Sequence, residues 1–251
     1  MRSRTPYQEY GTAIYRREMS VQLTSDGAIG EMVDDLHHFR VRVVCDGKIV
    51  DGVSAESVRP PWSTCSEAEA EIGKLKGMPL DPSLRAAGRF TPIRPQCTHM
   101  FDAAALAIAR LGRRLGDVTY SIAIPDRVEG KTRASVKRDG EPCLEWVLSG
   151  NGIEGPAPFA GRGIIGHQLA DWAGETLDED TVEAVLLLQR ACMISQGRVI
   201  DLESYRWARD VPGGPVGACH TYSNDNLERA SRVVGSVRNL THITGRLADE
   251  S

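Results

Sequence analysis

The sequence has no apolar run that approaches the roughly 20 residues needed to span a bilayer. It also has no basic tail and no stripe of lysine and arginine with interleaved aromatic side chains, and the formal net charge of its 251 residues is -4. These absences argue against a membrane protein and against nucleic-acid binding. The opening stretch MRSRTPYQEYGT lacks the apolar segment of a signal peptide, which predicts a cytoplasmic protein.

Cysteine pairs and nucleotide-binding motifs are missing as well. The six cysteines lie far apart and form no Cys-x-x-Cys pair, which is typical of reduced thiols rather than of a disulfide framework. No Gly-x-Gly-x-x-Gly opens a helix after a strand, and there is no phosphate-binding loop. GRGIIG at 161–166 is interpreted as a turn or a lid because it follows a loop. The sequence therefore predicts chemistry that needs no cofactor.

The residue patterns that are present in the sequence indicate an α+β fold. HHFRVRVVCD alternates Phe39, Val41 and Val43 with arginines, which predicts a half-buried strand, and the pair Asp46-Gly47 predicts a hairpin turn. A second β segment, DVTYSIAIP, KTRASVKRDG and PCLEWVLSG, contains a similar turn at Asp139-Gly140. We expect an antiparallel strand meander with helices packed on one face, extended by this second β segment and further helices.

Four stretches have the pattern of helices: 66–78, 97–114, 177–195 and, more weakly, the tail 226–247. The stretch GRVIDLESYRW at 197–207 is interpreted as a strand with a short turn. Three regions follow from these elements: a core at 13–116, a second β segment with a helix at 117–210, and a linker with a helical tail at 211–251. A homodimer is a general expectation for a domain of this kind.

Cys97 and His99 stand at the start of the helix predicted over 97–114. The positive end of a helix lowers a thiol pKa and attracts anions. His99 is expected to titrate near neutrality and to act as an acid or a base. The alternative is that Cys97 is a small buried hydrophobic residue and His99 a hydrogen-bonded structural one.

A second cluster, VDDLHHF, offers four polar candidates at the entry to a strand: Asp34, Asp35, His37 and His38. Strict alternation places Asp35, His37 and Phe39 on the core side of that strand. RPPWSTC adds Trp62 and Cys65 before a helix. We expect carboxylate, imidazole and thiol groups from these element ends to converge; the alternative is a pair of solvated charges beside surface histidines.

The order DDLHHFRVRVVCDGKIVDGVS, KGMPLD, CTHMFDAAALAIA resembles the iron–sulfur scaffold fold of the NifU and IscU type, over about residues 30–112. In that resemblance Asp35 matches the ligand aspartate and Cys97 the last ligand cysteine. The other ligand positions hold different residues. Val33 stands at the position of the first cysteine, and Pro61 or Trp62 stands near that of the second, with Cys65 displaced. Gln96 replaces the histidine before Cys97. Because a cluster needs about four thiolate or imidazole ligands, the resemblance implies the fold without cluster assembly.

The phrase PQCTHMFD resembles the Gly-Cys-Thr-His-Leu phrase of a bacterial family of unknown function, and RDGEPCLEW and QGRVIDLES extend the similarity along the chain. Gln96 and Met100 stand where that family has Gly and Leu. Within the family, the resemblance points to the phenylcoumaran gamma-formaldehyde lyases of bacteria that degrade lignin-derived dimers. It implies a lyase that removes a hydroxymethyl group as formaldehyde and leaves a stilbene.

The expected roles follow from that reaction. His99 is the general base, Asp35 orients it or shares the proton transfer, and His37 or His38 donates to the leaving oxygen. The substrate-binding residues are Trp62, Phe39 and Met100 around an aromatic pocket, Arg94 on a phenolate, and Cys97 as a pocket wall.

Two other functions stay open. A metal protein would use Asp35, a histidine, Cys65 and Cys97, a ligand set that suits zinc. A binding or assembly protein would perform no catalysis.

Overall fold

One antiparallel sheet of eight strands organises the fold. A computed structural model describes residues 10–250. The first four strands are β1 (Ile14–Thr24), β2 (Gly27–Asp34), β3 (His38–Cys45) and β4 (Val50–Arg59), and the second four are β5 (Val118–Pro125), β6 (Lys131–Arg138), β7 (Glu141–Ser149) and β8 (Gly152–Gly155). Because β1 pairs with β5, the order is β4-β3-β2-β1-β5-β6-β7-β8, so that two meanders share one sheet.

The helices α1 (Glu69–Ile72), α2 (Ala86–Phe90) and α3 (Thr98–Gly112) lie between β4 and β5, and α4 (Gln168–Thr176), α5 (Glu179–Ser195) and α6 (Asn224–Leu227) follow β8. The helix α3 packs on β1, β2 and β3, and α5 packs on β5, β6 and β7. An ion pair of 2.8 Å between Arg190 and Asp102 joins these two long helices. The predicted α+β fold, with an antiparallel meander and helices against it, is confirmed.

Small side chains let α3 approach the sheet closely. A Cβ atom added to Gly30 in β2 would lie 2.6 Å from the carbonyl oxygen of Ala103. The face of α3 toward the sheet carries further alanines, including Ala104 and Ala107, which are fully buried. This close contact places the first turn of α3, which carries His99, next to the connection between β2 and β3.

The opposite face of the sheet receives the end of the chain. Leu240 and Leu247 pack on Val33 of β2, and the Thr241 hydroxyl accepts a hydrogen bond from the backbone N–H of Ile14 at 3.0 Å. Within residues 10–250, no helix has the length and apolar character that crossing a bilayer requires.

Three local predictions are wrong. The stretch 226–247 is not a helix beyond α6; Gly235 has a positive φ of 77°, and the β-branched residues around it favour helix weakly. Residues 202–204 form a short 3-10 turn instead of a strand, because the Asp201 side chain accepts the backbone N–H of Glu203. The stretch 66–78 is divided into α1 and two flanking 3-10 turns. The strand β2 and the helix α4 were not predicted.

Candidate functional site

Asp34, His37 and His99 form a buried polar cluster, in which one side-chain ligand atom from each lies within 4.8 Å of the others. Asp34 ends β2, His37 precedes β3, and His99 lies in the first turn of α3. The Asp34 Oδ1 atom accepts the backbone N–H groups of Leu36 and His37, both at 2.8 Å. Such an Asx turn reverses the chain and points Asp34 and His37 to the same side. The predicted alternation, which placed Asp35 beside His37, is wrong because these residues form the turn.

A hydrogen bond orients the His37 ring. Its Nδ1–H donates to Asp34 Oδ1 at 2.9 Å, so that in the neutral form of the ring the lone pair is on Nε2. The other carboxylate oxygen, Oδ2, accepts the Tyr15 hydroxyl at 2.6 Å and lies 3.4 Å from Arg17 Nη2. Burial raises the pKa of Asp34, but the charge and hydrogen bond of His37 and the charge of Arg17 together outweigh it and hold this pKa well below its usual range. Asp34 is therefore a carboxylate.

His99 lies flat against His37. The two ring centroids are 4.0 Å apart, and the Phe39 ring lies 6.0 Å from His99 on the same core face. Burial, followed by the charges of His37 and Arg17, holds the pKa of His99 well below its usual value, so this imidazole is neutral at pH 7. Its Nε2 atom has no hydrogen-bond partner among the described residues. The His37 side chain, 11% exposed, gives the cluster its contact with solvent.

Arg59 at the end of β4 holds the turn that carries Asp34 and His37. Its Nη2 donates to the carbonyl oxygens of Asp34 at 2.6 Å and of His37 at 3.0 Å, and its Nη1 donates to that of Ser236 in the tail. Neither Arg59 nor Arg17 was among the predicted residues. The sequence offered no spacing that pointed to them, because both reach the cluster from other strands.

Asp35 belongs to a different group of charges. It forms an ion pair with Arg198, which follows α5, and Arg198 also binds Asp126 at 2.9 Å. The backbone N–H of Arg16 donates to Asp35 at 3.2 Å. Burial raises the pKa of Asp35 to about 7 against the opposing effect of Arg198. Asp35 thus ties the end of α5 to the sheet and does not touch the His37 ring.

This elevated pKa predicts a specific pH dependence of stability. Between pH 4 and 7, approximately, the folded chain holds a proton on Asp35 that the unfolded chain has released, so the free energy of unfolding falls as the pH rises. The expected contribution is about 1 to 4 kcal/mol, and Asp35→Asn removes it. Urea unfolding of both proteins across this window measures the difference. If the free energies of unfolding of the two proteins vary with pH in the same way, the raised pKa of Asp35 is contradicted.

Two other predicted polar residues lie outside the cluster. His38 points to the opposite face of the sheet, where its Nε2 lies 2.9 Å from Glu31 Oε1. Arg94 is exposed on the loop between α2 and α3. The structure therefore brings His37 and His99 together and leaves His38 and Arg94 apart from them.

The predicted thiols and the predicted aromatic wall are buried. Burial raises the pKa of Cys97 far above its usual value and that of Cys65 to about 11, so both thiols stay protonated; the expected lowering at the helix start is outweighed. The Cys65 Sγ atom lies 3.3 Å from the Thr221 hydroxyl, and the Arg232 guanidinium lies 5.2 Å from the Trp62 ring centroid. Phe39 and Met100 belong to the core.

Two ligand sets can be compared with this geometry. The set implied by the scaffold resemblance does not fit a cluster, because Asp35 is engaged by Arg198 and the ligand atoms that come together among the described residues belong to Asp34, His37 and His99, not to Asp35 or Cys97. Asp34, His37 and His99 are spaced for one metal ion, but each carboxylate oxygen of Asp34 already accepts hydrogen bonds. The arrangement is better suited to an imidazole base oriented by a carboxylate.

Comparison with known sequences adds one finding. Residues 16–110 match a protein family of unknown function, DUF2889. No curated protein matches the chain. The matched segment contains Arg17, Asp34, His37, Arg59 and His99. The cluster and the two arginines around it therefore lie in the part of the chain that is similar to this family.

Proposed function

We propose that this protein is an acid–base enzyme in which Asp34 and His37 form the proton-transfer dyad. The 2.9 Å hydrogen bond from His37 Nδ1 to Asp34 Oδ1 carries this proposal. A buried carboxylate on one ring nitrogen fixes the tautomer, leaves the other nitrogen as a base and stabilises the imidazolium that forms. His37 thus takes the role that the sequence suggested for His99, and Asp34 the role suggested for Asp35.

The proposed reaction is a cofactor-independent carbon–carbon cleavage of a small aromatic substrate, the release of formaldehyde from a phenylcoumaran-type dimer. This reaction class is supported by the resemblance of the phrase around Cys97 and His99 to the lyases named above. The His37 side chain, 11% exposed, is the part of the dyad that such a substrate can reach.

Each step needs only a base and a hydrogen-bond donor. His37 Nε2 takes the proton of the terminal hydroxyl, whose oxygen then forms the carbonyl of formaldehyde. The electron pair of the broken carbon–carbon bond forms the stilbene double bond, and the ring ether oxygen leaves as phenoxide. Oxidation states balance within the substrate, and the phenoxide finally takes up the proton.

Replacing His37 by alanine tests the proposal. We expect the wild-type protein to release formaldehyde from a phenolic phenylcoumaran dimer and His37→Ala to lower kcat by roughly 10²- to 10⁴-fold, the usual contribution of a positioned base. His242→Ala, at an exposed position, is the matched control and should keep full activity. Formaldehyde release by His37→Ala within a few-fold of wild type would remove His37 from the mechanism.

A metal site is the second candidate, supported by the spacing of Asp34, His37 and His99. Elemental analysis of protein purified without a histidine-rich tag distinguishes the two functions. Near-stoichiometric zinc or iron that is lost in both His37→Ala and His99→Ala would assign these side chains as ligands and replace the dyad mechanism.

A further inference from the structure

A segment near the end of the chain, residues 235–238, contacts the Asx turn of the dyad. The backbone N–H of Arg238 donates to the carbonyl oxygen of Asp35 at 2.8 Å, and the carbonyl oxygen of Ser236 accepts Arg59 Nη1. The same guanidinium donates to the other carbonyl oxygens of the turn. The segment and the turn are therefore joined both by a direct backbone hydrogen bond and through one guanidinium.

The Glu203 carboxylate holds this segment in place. Its Oε1 accepts the backbone N–H of Val237 at 3.2 Å, and its Oε2 accepts that of Gly235 at 3.1 Å. Arg232 Nη2 donates to the same Oε1 and to the Ser236 hydroxyl, both at 3.0 Å. Burial raises the pKa of Glu203, but the hydrogen bonds of Arg232 and of the two backbone N–H groups outweigh it and lower this pKa. Glu203 is therefore charged at pH 7.

Arg232 is anchored to the end of β4. Its side chain is 2% exposed, and its Nη1 donates to the carbonyl oxygen of Pro61 at 3.1 Å. Its guanidinium lies 5.2 Å from the centroid of the Trp62 ring. Arg232 thus fixes the segment to the same strand end that supplies Arg59.

Polar contacts, more than apolar packing, hold this part of the chain. The Val234 side chain is 82% exposed, and those of Val233 and Val237 are half-buried. The Glu203 side chain is itself 29% exposed. Loss of the Glu203 charge should therefore release the segment locally while the core of the protein stays folded.

We propose that Glu203 and Arg232 are positioning residues, which hold residues 235–238 as a clamp on the turn of the Asp34–His37 dyad. Both lie outside residues 16–110, the part of the chain that is similar to the family, so a later part of the chain completes the site. When the clamp opens, the carbonyl oxygens of the turn lose donors and the dyad is free to lose its alignment. The effect of the clamp on catalysis rests on the proposed function, whereas its effect on the turn does not.

Hydrogen exchange tests the clamp without any substrate. In the wild-type protein the backbone N–H groups of Leu36 and His37, which form the Asx turn, should exchange slowly. Glu203→Gln should accelerate their exchange roughly 10-fold, because it weakens charged hydrogen bonds at a partly exposed position, and should leave the amides of β6 unchanged. Glu154→Gln, at an exposed ion pair of β8, is the matched control and should leave all rates unchanged.

A proton NMR signal reports the dyad itself. The Nδ1–H proton of His37, hydrogen-bonded to a buried carboxylate, should give a far-downfield signal that is absent in His37→Ala. Glu203→Gln should broaden this signal through faster exchange with water. In a protein that releases formaldehyde, Glu203→Gln should also lower kcat about 10-fold with KM within a few-fold of wild type, because the clamp acts on the orientation of the base.

The outcomes separate the clamp from the proposed function. Rapid exchange of the Leu36 and His37 amides in the wild-type protein overturns the clamp even if Glu203→Gln does not fold. Unchanged exchange in a folded Glu203→Gln does the same, and so does equal acceleration throughout the sheet. Faster exchange confined to the turn, in a protein that releases no formaldehyde, would retain the clamp and reject the lyase.

Discussion

Asp34→Asn is expected to lower the free energy of unfolding by about 3 to 5 kcal/mol, the usual result of removing one partner of a buried ion pair. Asp34 is fully buried and accepts donors on both carboxylate oxygens. An asparagine has one acceptor oxygen, so its amide N–H groups must face either the Tyr15 hydroxyl and Arg17 or the His37 ring and the backbone N–H groups of the turn. In either orientation the amide N–H groups face other hydrogen-bond donors, and the charge of Arg17 has no carboxylate to balance it.

Asp34→Asn should lower kcat as well, and the fall in kcat should exceed what the loss of folded protein explains. Without the carboxylate, the His37 ring is no longer held in the tautomer that leaves Nε2 as the base, and we expect kcat to fall by roughly 10³- to 10⁴-fold at temperatures where the variant is folded. Denaturant unfolding and formaldehyde release measure the two effects. Asp51→Asn, at an exposed position in β4, is the control. An Asp34→Asn variant as stable as this control would show that the cluster is solvated rather than sealed.

Gly30→Ala is expected to lower the free energy of unfolding by about 3 kcal/mol, because the added methyl group would overlap backbone atoms of α3. The added Cβ atom would lie 2.6 Å from the Ala103 carbonyl oxygen and 3.1 Å from its carbonyl carbon, and both are backbone atoms of a long helix. Relief requires α3 to move away from β2, which opens the core on both sides of the contact. The same movement separates the His99 ring on α3 from the His37 ring on the sheet.

Gly52→Ala is the matched control for this variant. Gly52 also lies in a strand, and a Cβ atom there would have no neighbour within 4 Å. Alanine at this position should leave stability unchanged or raise it by up to about 1 kcal/mol. Thermal unfolding compares the two alanine variants, and formaldehyde release by each reports whether His99 still packs on His37. Equal stabilities would mean that α3 does not pack on β2 at the described distance.

Local patterns in the sequence were sufficient for several elements. Alternation in HHFRVRVVCD predicted β3, and the hairpin turns were predicted at pairs whose glycines do adopt positive φ, 88° at both Gly47 and Gly140. The helical patterns over 97–114 and 177–195 predicted α3 and α5, and α5 begins where the Asp178 side chain accepts the backbone N–H of Thr181. Each of these signals lies within a few residues of the structure it specifies.

Elements that depend on distant partners were missed. The strand β2 contains Gly27 and Gly30, which weaken any local strand signal, yet Gly30 is required because α3 packs against it. The tail was predicted as a helix from the spacing of its apolar residues. Its conformation is instead set by contacts such as Leu240 with Val33 and Arg232 with Trp62.

The sequence by itself determined the α+β class, the polar residues at the entry to β3, and His99 at the start of a helix, because residue type and short-range spacing carry that information. Only the tertiary structure decided which of these groups meet. The Asx turn paired His37 with Asp34, and burial outweighed the helix dipole at Cys97. Arg17 and Arg59 entered from strands that are neighbours only in the folded sheet. Pairing across a sheet and loss of solvent depend on the whole packed chain, so no local pattern records them.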